Sequence, residues 1–307
     1  MKTFKLLSIF FLTVVLATSC SHHNDRIDEG ITLGQLLGSY DLWYIDYNRT
    51  TGTVDIPFLS KAFTISFHNG NVIANNNIVG LGSVGNGYGD QIGYYDTVDD
   101  MLEVDHDVDG FYRLNVVHLT TNEIKIIDPQ SNTAYFLIGY MKNDFDYNLV
   151  FFDNIEYFLQ EYEAWEKTNT SGGSPNAFDN ENFLQFTAEN IRTFRSSGDN
   201  VGTDIDNINW DYIGGYDVYD VENVNDVKIL TLDYDSNDNE EFELYVNNDN
   251  EIELYHVVSK TTYIFNGRGN IVYKKAKEKG NNNIKETRKR FKTDRKTVKR
   301  TIKSPRY

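Results

Sequence analysis

Asp105, Asp107 and Asp109 stand at alternate positions in the run Asp105-His106-Asp107-Val108-Asp109-Gly110. Asp-x-Asp-x-Asp-Gly is how a calcium loop opens: hard carboxylate oxygens alternate toward the ion, and the glycine allows the sharp turn. Further along, Asp233-Tyr234-Asp235-Ser236-Asn237 again sets three oxygen-bearing side chains, Asp233, Asp235 and Asn237, at alternate positions. The bidentate glutamate expected near position twelve of the first run falls on Val116, so it is no EF-hand. Calcium is one reading of the pair. The plainer one is a hairpin turn that favours Asp and Asn and stays solvated.

Other reactive groups are scattered. The six histidines are His22, His23, His68, His106, His118 and His256, and none forms a His-x-x-x-His pair. Cys-x-x-Cys, Gly-x-Ser-x-Gly and the phosphate-binding Gly-x-x-x-x-Gly-Lys-Ser/Thr are absent from the sequence. The glycine-rich stretch Gly80 to Gly89 does not lead from a strand into a helix, so it reads as a flexible rim loop. Two classes of function stay open. A non-enzymatic binding protein should hold a preformed cup or an adhesive surface. An enzyme, an unrecognised hydrolase for instance, should bring two carboxylates together with a perturbed pKa.

The elements that must position these residues read as strands. Phe63, Ile65 and Phe67 alternate before His68-Asn69-Gly70-Asn71, a strong hairpin signal because both central turn residues need positive φ. Met101 to Asp105 and Phe111 to Val117 flank the acidic turn, and Glu123 to Ile127 faces Ala134 to Ile138. The pattern then recurs in Ile229 to Asp233, Glu241 to Val246, Glu251 to His256 and Thr262 to Phe265. The body is one unit written twice. Leu36 to Trp43 aligns with Phe158 to Trp165, Ile92 to Asp96 with Ile213 to Asp217, Asn122 to Ile126 with Asn250 to Leu254, and Thr133 to Phe136 with Thr261 to Ile264. A short helical patch, Thr32 to Leu37, precedes the first unit. Asn148 to Trp165, with apolar residues at helical spacing, bridges to the second.

Composition agrees. The chain has 21 Tyr, 19 Phe and 3 Trp but only 4 Pro, as short antiparallel strands joined by polar turns require. The net charge of −17 conceals a split, with about −31 on residues 20–273 and about +12 on 274–307. The acidic body argues against nucleic acid as a partner. The tail has almost no apolar residues to offset its chain entropy, so it is expected to be disordered. Ile284, Phe291 and Val298 recur every seventh residue, which would allow a transient helix on a partner. Acidic glycans, anionic headgroups or the acidic body itself would suit such an arm.

The chain begins Met1 to Lys5 with two lysines, continues apolar from Leu6 to Ala17, and reaches Thr18-Ser19-Cys20. That stretch has the length of a signal-peptide core and is too short to span a bilayer. Cys20 is the only cysteine, so it serves no disulfide. Leu16 to Cys20 resembles the lipobox of bacterial lipoproteins, in which the cysteine is acylated (palmitate among the chains) and becomes the first residue. This implies a lipid-anchored protein of the outer membrane or the periplasmic face of the envelope, the cell surface included. The expected organisation is a signal peptide over 1–19, a tether over 20–30, barrel repeats over 31–142 and, with the bridging helix, 143–273, and the basic tail over 274–307.

Leu36-Leu37-Gly38-Ser39-Tyr40-Asp41-Leu42 resembles the opening of lipocalin-like lipoprotein domains, with Tyr40 in place of their tryptophan. The second copy has Gln160 for the glycine; Arg268 stands where that family's closing strand often ends in arginine, and Tyr140 stands there in the first. The resemblance implies an all-β fold: two tandem lipocalin-like antiparallel barrels or curved sandwiches with a short bridging helix. It also implies a small hydrophobic ligand, a glycan or another envelope protein as partner. The run Ser39 to Gly52 is similar to exported lipoproteins that often carry the name nicotinic acid mononucleotide adenylyltransferase. Neither the His-x-Gly-His pair nor the alternating βα units of such enzymes is present.

Overall fold

The computed structural model describes residues 31–82, 87–187, 192–235, 238–273, 284–285, 288 and 290–303. The alternating apolar runs become strands, and the strands close into two eight-stranded antiparallel barrels in which each strand neighbours the next. Barrel 1 comprises β1 (Leu42–Thr51), β2 (Thr64–His68), β3 (Asn71–Asn75), β4 (Asp90–Val98), β5 (Met101–His106), β6 (Gly110–Thr120), β7 (Glu123–Asp128) and β8 (Thr133–Tyr140), with β8 paired to β1. Barrel 2 comprises β9 (Tyr162–Gly172), β10 (Phe183–Thr187), β11 (Thr193–Ser197), β12 (Tyr212–Val221), β13 (Val224–Tyr234), β14 (Asn239–Asn248), β15 (Glu251–His256) and β16 (Thr261–Asn270), with β16 paired to β9. Closure decides for barrels over open sandwiches and removes most free sheet edges. The β2–β3 turn is the expected one, with φ of 50° at Asn69 and 80° at Gly70.

A short helix plugs the base of each barrel. In barrel 1 it is α1 (Leu33–Leu37), started by a capping box in which Gln35 N donates to Thr32 Oγ1 and Thr32 N donates to Gln35 Oε1. The bridging segment is not one helix reaching Trp165. It breaks at Asn154 into α3 (Tyr147–Asp153) and α4 (Ile155–Leu159), and Tyr162 already belongs to β9. The break is built into Asn154, whose side chain turns back to Val150 O and across to the Tyr44 hydroxyl, both at 2.9 Å.

The duplication extends to single hydrogen bonds. Trp43 Nε1 donates to Leu37 O at 2.9 Å, and Trp165 Nε1 donates to Leu159 O at 2.8 Å. Tyr40 meets Trp43 edge-on at 5.0 Å, as Tyr162 meets Trp165 at 4.8 Å. Each tyrosine lies over a glycine of the last strand: a Cβ on Gly139 or Gly267 would come within 2.6 or 2.5 Å of the ring. Gln160 departs from the glycine of the first copy for a structural purpose, since its amide donates to the buried Tyr216 hydroxyl at 2.8 Å.

Both interiors are packed solid. Trp43, Ile65, Leu102, Ile124, Tyr135 and Leu137 in barrel 1, and Trp165, Leu230, Leu232, Phe242, Leu254 and Tyr263 in barrel 2, have no solvent-accessible area. At the mouths the plug comes from the β1–β2 and β9–β10 connections. There α2 (Pro57–Lys61) supplies Phe58 to barrel 1, and the turn Ala177–Asn180 supplies Phe178 to barrel 2. A last-strand tyrosine holds each plug: Tyr135 Oη accepts from Ile56 N at 3.1 Å, and Tyr263 Oη donates to Asp179 Oδ1 at 2.6 Å.

The barrels share a core. Leu42, Tyr44 and Phe63 face out of barrel 1 and join α3, α4 and the interior of barrel 2 in one cluster. This is why β1 is buried on both faces at its start. Glu161, fully buried, accepts from Ile78 N and Val79 N of barrel 1 at 2.9 Å each. The Gly80 rim is therefore anchored on one side, where a flexible loop was the expectation.

Half of the segment expected to be a disordered basic tail lies outside the described residues. Arg288 and residues 290–303 do not, and they run extended over both barrels, with Thr297–Val298 adding in parallel to Asp220–Val221 of β12. The seven-residue spacing marks no helix here. Guanidinium groups that find buried acids and carbonyls supply the binding that apolar residues could not.

Candidate functional site

Both acidic turns lie at the barrel mouths. Asp105 is exposed on β5, whereas His106 is buried, stacks on Phe58 at 5.7 Å and accepts from Asp109 N at 2.9 Å through Nδ1. The Asp109 carboxylate lies 3.3 Å from the same nitrogen. Asp107 N donates to Ile92 O at 2.9 Å, and its counterpart Asp235 N donates to Ile213 O at 3.3 Å. Asp233 and Asp235 are exposed; Asn237, like Cys20, His22 and His23, lies outside the described residues. Among the described residues no three His, Cys, Asp or Glu side chains gather as a metal ion would need. The aspartates of the first run are thus not brought together: alternation would align them on one face of a continuous strand, but the strand ends at His106 and Asp107 and Asp109 lie in the turn.

The mouth of barrel 2 holds a different group, mostly buried. Tyr234 Oη lies 2.7 and 2.8 Å from the two carboxylate oxygens of Glu181. Burial lifts the Glu181 carboxyl above the usual glutamate range, the nearby Glu240 adds to the lift, and Lys167 opposes it. Burial pushes the Lys167 ammonium down; its Nζ donates to Asp179 O at 2.6 Å. His256 places Nε2 2.7 Å from Glu240 Oε2 and Nδ1 2.7 Å from Ser259 Oγ. Although burial would raise Asp179, hydrogen bonds from Tyr263 and from Asn176 N hold it below the usual aspartate range. Three carboxylates, an imidazole and an ammonium therefore share one barrel end.

Carboxylate, imidazole and hydroxyl in a row suggest a nucleophile relay. The other barrel argues for a plainer role. There Ser131 Oγ donates to Asp128 Oδ2 at 2.6 Å in the equivalent turn, and Thr133 N donates to Ser131 Oγ at 3.3 Å, as Thr261 N does to Ser259 Oγ at 3.3 Å. Ser259 is a turn-closing hydroxyl, further occupied by Asn176 and Thr261. What sets barrel 2 apart is the buried ammonium of Lys167 and the buried carboxyl of Glu181.

Matched backbone pairs fix the correspondence. Ile45 N donates to Phe63 O as Lys167 N donates to Asn182 O; Gly93 faces His106 as Gly214 faces Tyr234; Val104 faces Tyr112 as Leu232 faces Glu240. Ile45, Ala62, His106, Tyr112 and Asp128 of barrel 1 thus become Lys167, Glu181, Tyr234, Glu240 and His256. These residues escape a reading of single motifs, because each comes from a different stretch of chain. Aligning the two copies position by position carries the signal, most clearly where apolar Ile45 and Ala62 become Lys167 and Glu181. No protein-family model matches this chain, and no curated protein matches it either.

Proposed function

We propose that this chain is a lipid-anchored, non-enzymatic lipoprotein of the bacterial envelope, acylated on Cys20, that binds its partner from outside the barrels and at the polar mouth of barrel 2. One observation supports the surface role above all: large side chains, Trp43, Tyr135 and Leu137 in one barrel and Trp165, Phe242 and Tyr263 in the other, fill the interiors with no accessible area. A small hydrophobic ligand needs a preformed apolar cavity. Of the three expected partners, the glycan and the envelope protein need none. The mouth offers Asp179 and Glu240 as acceptors and Lys167 as donor, a set suited to hydroxyl-bearing or amide-bearing groups.

The test is isolation of the full chain from its native membrane, followed by mass spectrometry of the intact protein and of whatever accompanies it. The expected result is acyl mass on Cys20 and a glycan or envelope protein held by the wild type but released by Glu240→Gln. A stoichiometric apolar molecule inside the barrels overturns the proposal, and so does nucleotide transfer by the pure protein with nothing bound.

A hydrolase is the second reading, favoured by the raised Glu181 beside Glu240. A carboxyl whose proton affinity burial raises, set close to a second carboxylate, is an arrangement that acid–base hydrolysis uses. Turnover of glycosides or esters that vanishes in both Glu181→Gln and Glu240→Gln would establish it.

A further inference from the structure

The two barrels meet in a crease lined with features that an arginine-bearing strand completes, although Glu161 also accepts from Ile78 N and Val79 N and Glu156 lies 3.8 Å from Arg192. Glu156 and Glu161 lie at either end of α4, and both are fully buried. A buried carboxylate without a partner costs several kcal/mol, so such residues are paired or protonated. Burial pushes Glu161 upward, and the Arg288 guanidinium beside it pulls it back. Arg288 ion-pairs with Glu161 and donates to Tyr157 O at 3.1 Å. Arg295 reaches Glu156 Oε2 at 3.1 Å and Asp153 O at 2.7 Å.

Between them Arg290 meets no carboxylate among the described residues. Its guanidinium donates to Ala62 O at 2.7 Å, to Ile45 O at 3.1 Å and to Asn154 Oδ1 at 3.1 Å, with its carbon 4.4 Å from the centre of the Phe63 ring and 5.1 Å from that of Tyr47. Three oxygens set around a planar fork and faced by aromatic rings select arginine over lysine. Downstream, Asp220 N and Glu222 N donate to Lys296 O and Val298 O, so β12 takes the segment as a strand. Lys303 N then reaches both oxygens of Glu243 at 3.0 Å.

We propose that the crease is a binding groove for an extended, arginine-bearing peptide, and that residues 288–303 are its resident ligand. Recognition is divided in three: a buried acid for the first arginine, a cage of carbonyls and aromatic rings for the second, and a buried acid followed by a strand edge for the third. The inference does not depend on the function proposed above. A ligand tethered to its own groove excludes a free one by its high effective concentration.

The experiment uses the full chain carrying R288A, R290A and R295A together, with a fluorescent peptide of residues 288–303 as probe. The variant should bind the probe one to one at micromolar concentration, while the wild type, its groove filled, binds at least about 100-fold more weakly. A probe of the same composition in scrambled order should lose about 100-fold on the variant. Equal binding of the scrambled probe, or no binding by a variant whose barrels still unfold cooperatively, overturns the proposal. Should that variant not fold, the wild-type chain is given a sequence-specific protease site between Gly280 and Asn281, cut after folding, and unfolded and refolded with excess probe. The probe should then replace the cut arm, and its failure to do so where the arm itself rebinds overturns the proposal equally.

Discussion

The bases of the two barrels are twins, and their mouths are not. At the base the same tryptophan makes the same bond to the same turn of helix, and the same tyrosine covers the same glycine. At the mouth, barrel 1 stacks His106 between Phe58 and its own turn, while barrel 2 buries Lys167, Glu181 and His256. A base has to close a barrel, and a buried indole with its N–H satisfied does so in either copy. A mouth faces outward and is free to diverge. Burying ionisable groups is unfavourable unless they are paired, and barrel 2 buries three at its mouth where barrel 1 buries His106.

The comparison breaks most decisively at the base. Trp43→Ala and Trp165→Ala should each cost about 3–5 kcal/mol in urea unfolding, through the cavity and the lost bond. Twin bases predict similar losses; a difference of several kcal/mol would mean that only one copy relies on its plug. Next comes the mouth of barrel 2. Lys167→Ile, which installs the residue of barrel 1, should cost about 1–3 kcal/mol by removing a cation from beside a buried acid. Adding Glu181→Ala should restore much of that loss, a coupling that a double-mutant cycle reads directly.

The two mouths should also part with pH. Because the folded-state pKa of Glu181 is raised, its contribution to stability is present below the ordinary glutamate range and is lost as pH rises through the raised value. Glu181→Gln should therefore gain stability over the wild type on the neutral side and little in acid, as read from urea midpoints between about pH 4 and pH 7. Ala62 gives barrel 1 no such dependence. The smallest effect concerns the helices. Thr32→Ala removes the cap of α1 and should cost about 1 kcal/mol in thermal unfolding. Asn154 makes no side-chain cap on α4, so barrel 2 lacks that lever.

Much of this fold was legible because its signals are local. Asn69-Gly70 dictates a hairpin, and the repeated Tyr-x-x-Trp step declares a second barrel. The strand segments of the second unit fall inside the observed ones, Glu251–His256 to the residue. The apolar spacing through Trp165 misled because a barrel strand buried on both faces mimics one side of a helix. The mouth was illegible for another reason. Lys167, Glu181, Tyr234, Glu240 and His256 sit on different stretches of chain and meet only through barrel closure. Where residues 290–303 are described, guanidinium groups that complete a site made elsewhere hold them, a signal that counting apolar residues does not carry.

That completion has a consequence in time. Barrel 1 closes only when β8 meets β1, barrel 2 only when β16 meets β9, and such distant pairings form slowly. Glu156 and Glu161 precede their arginines by more than a hundred residues, at separations of 139 and 127 positions. In a chain made from its N-terminus, both acids are made long before Arg288 and Arg295. The arm follows β16 in the chain, so it reaches the joint only after every strand of both barrels has been made.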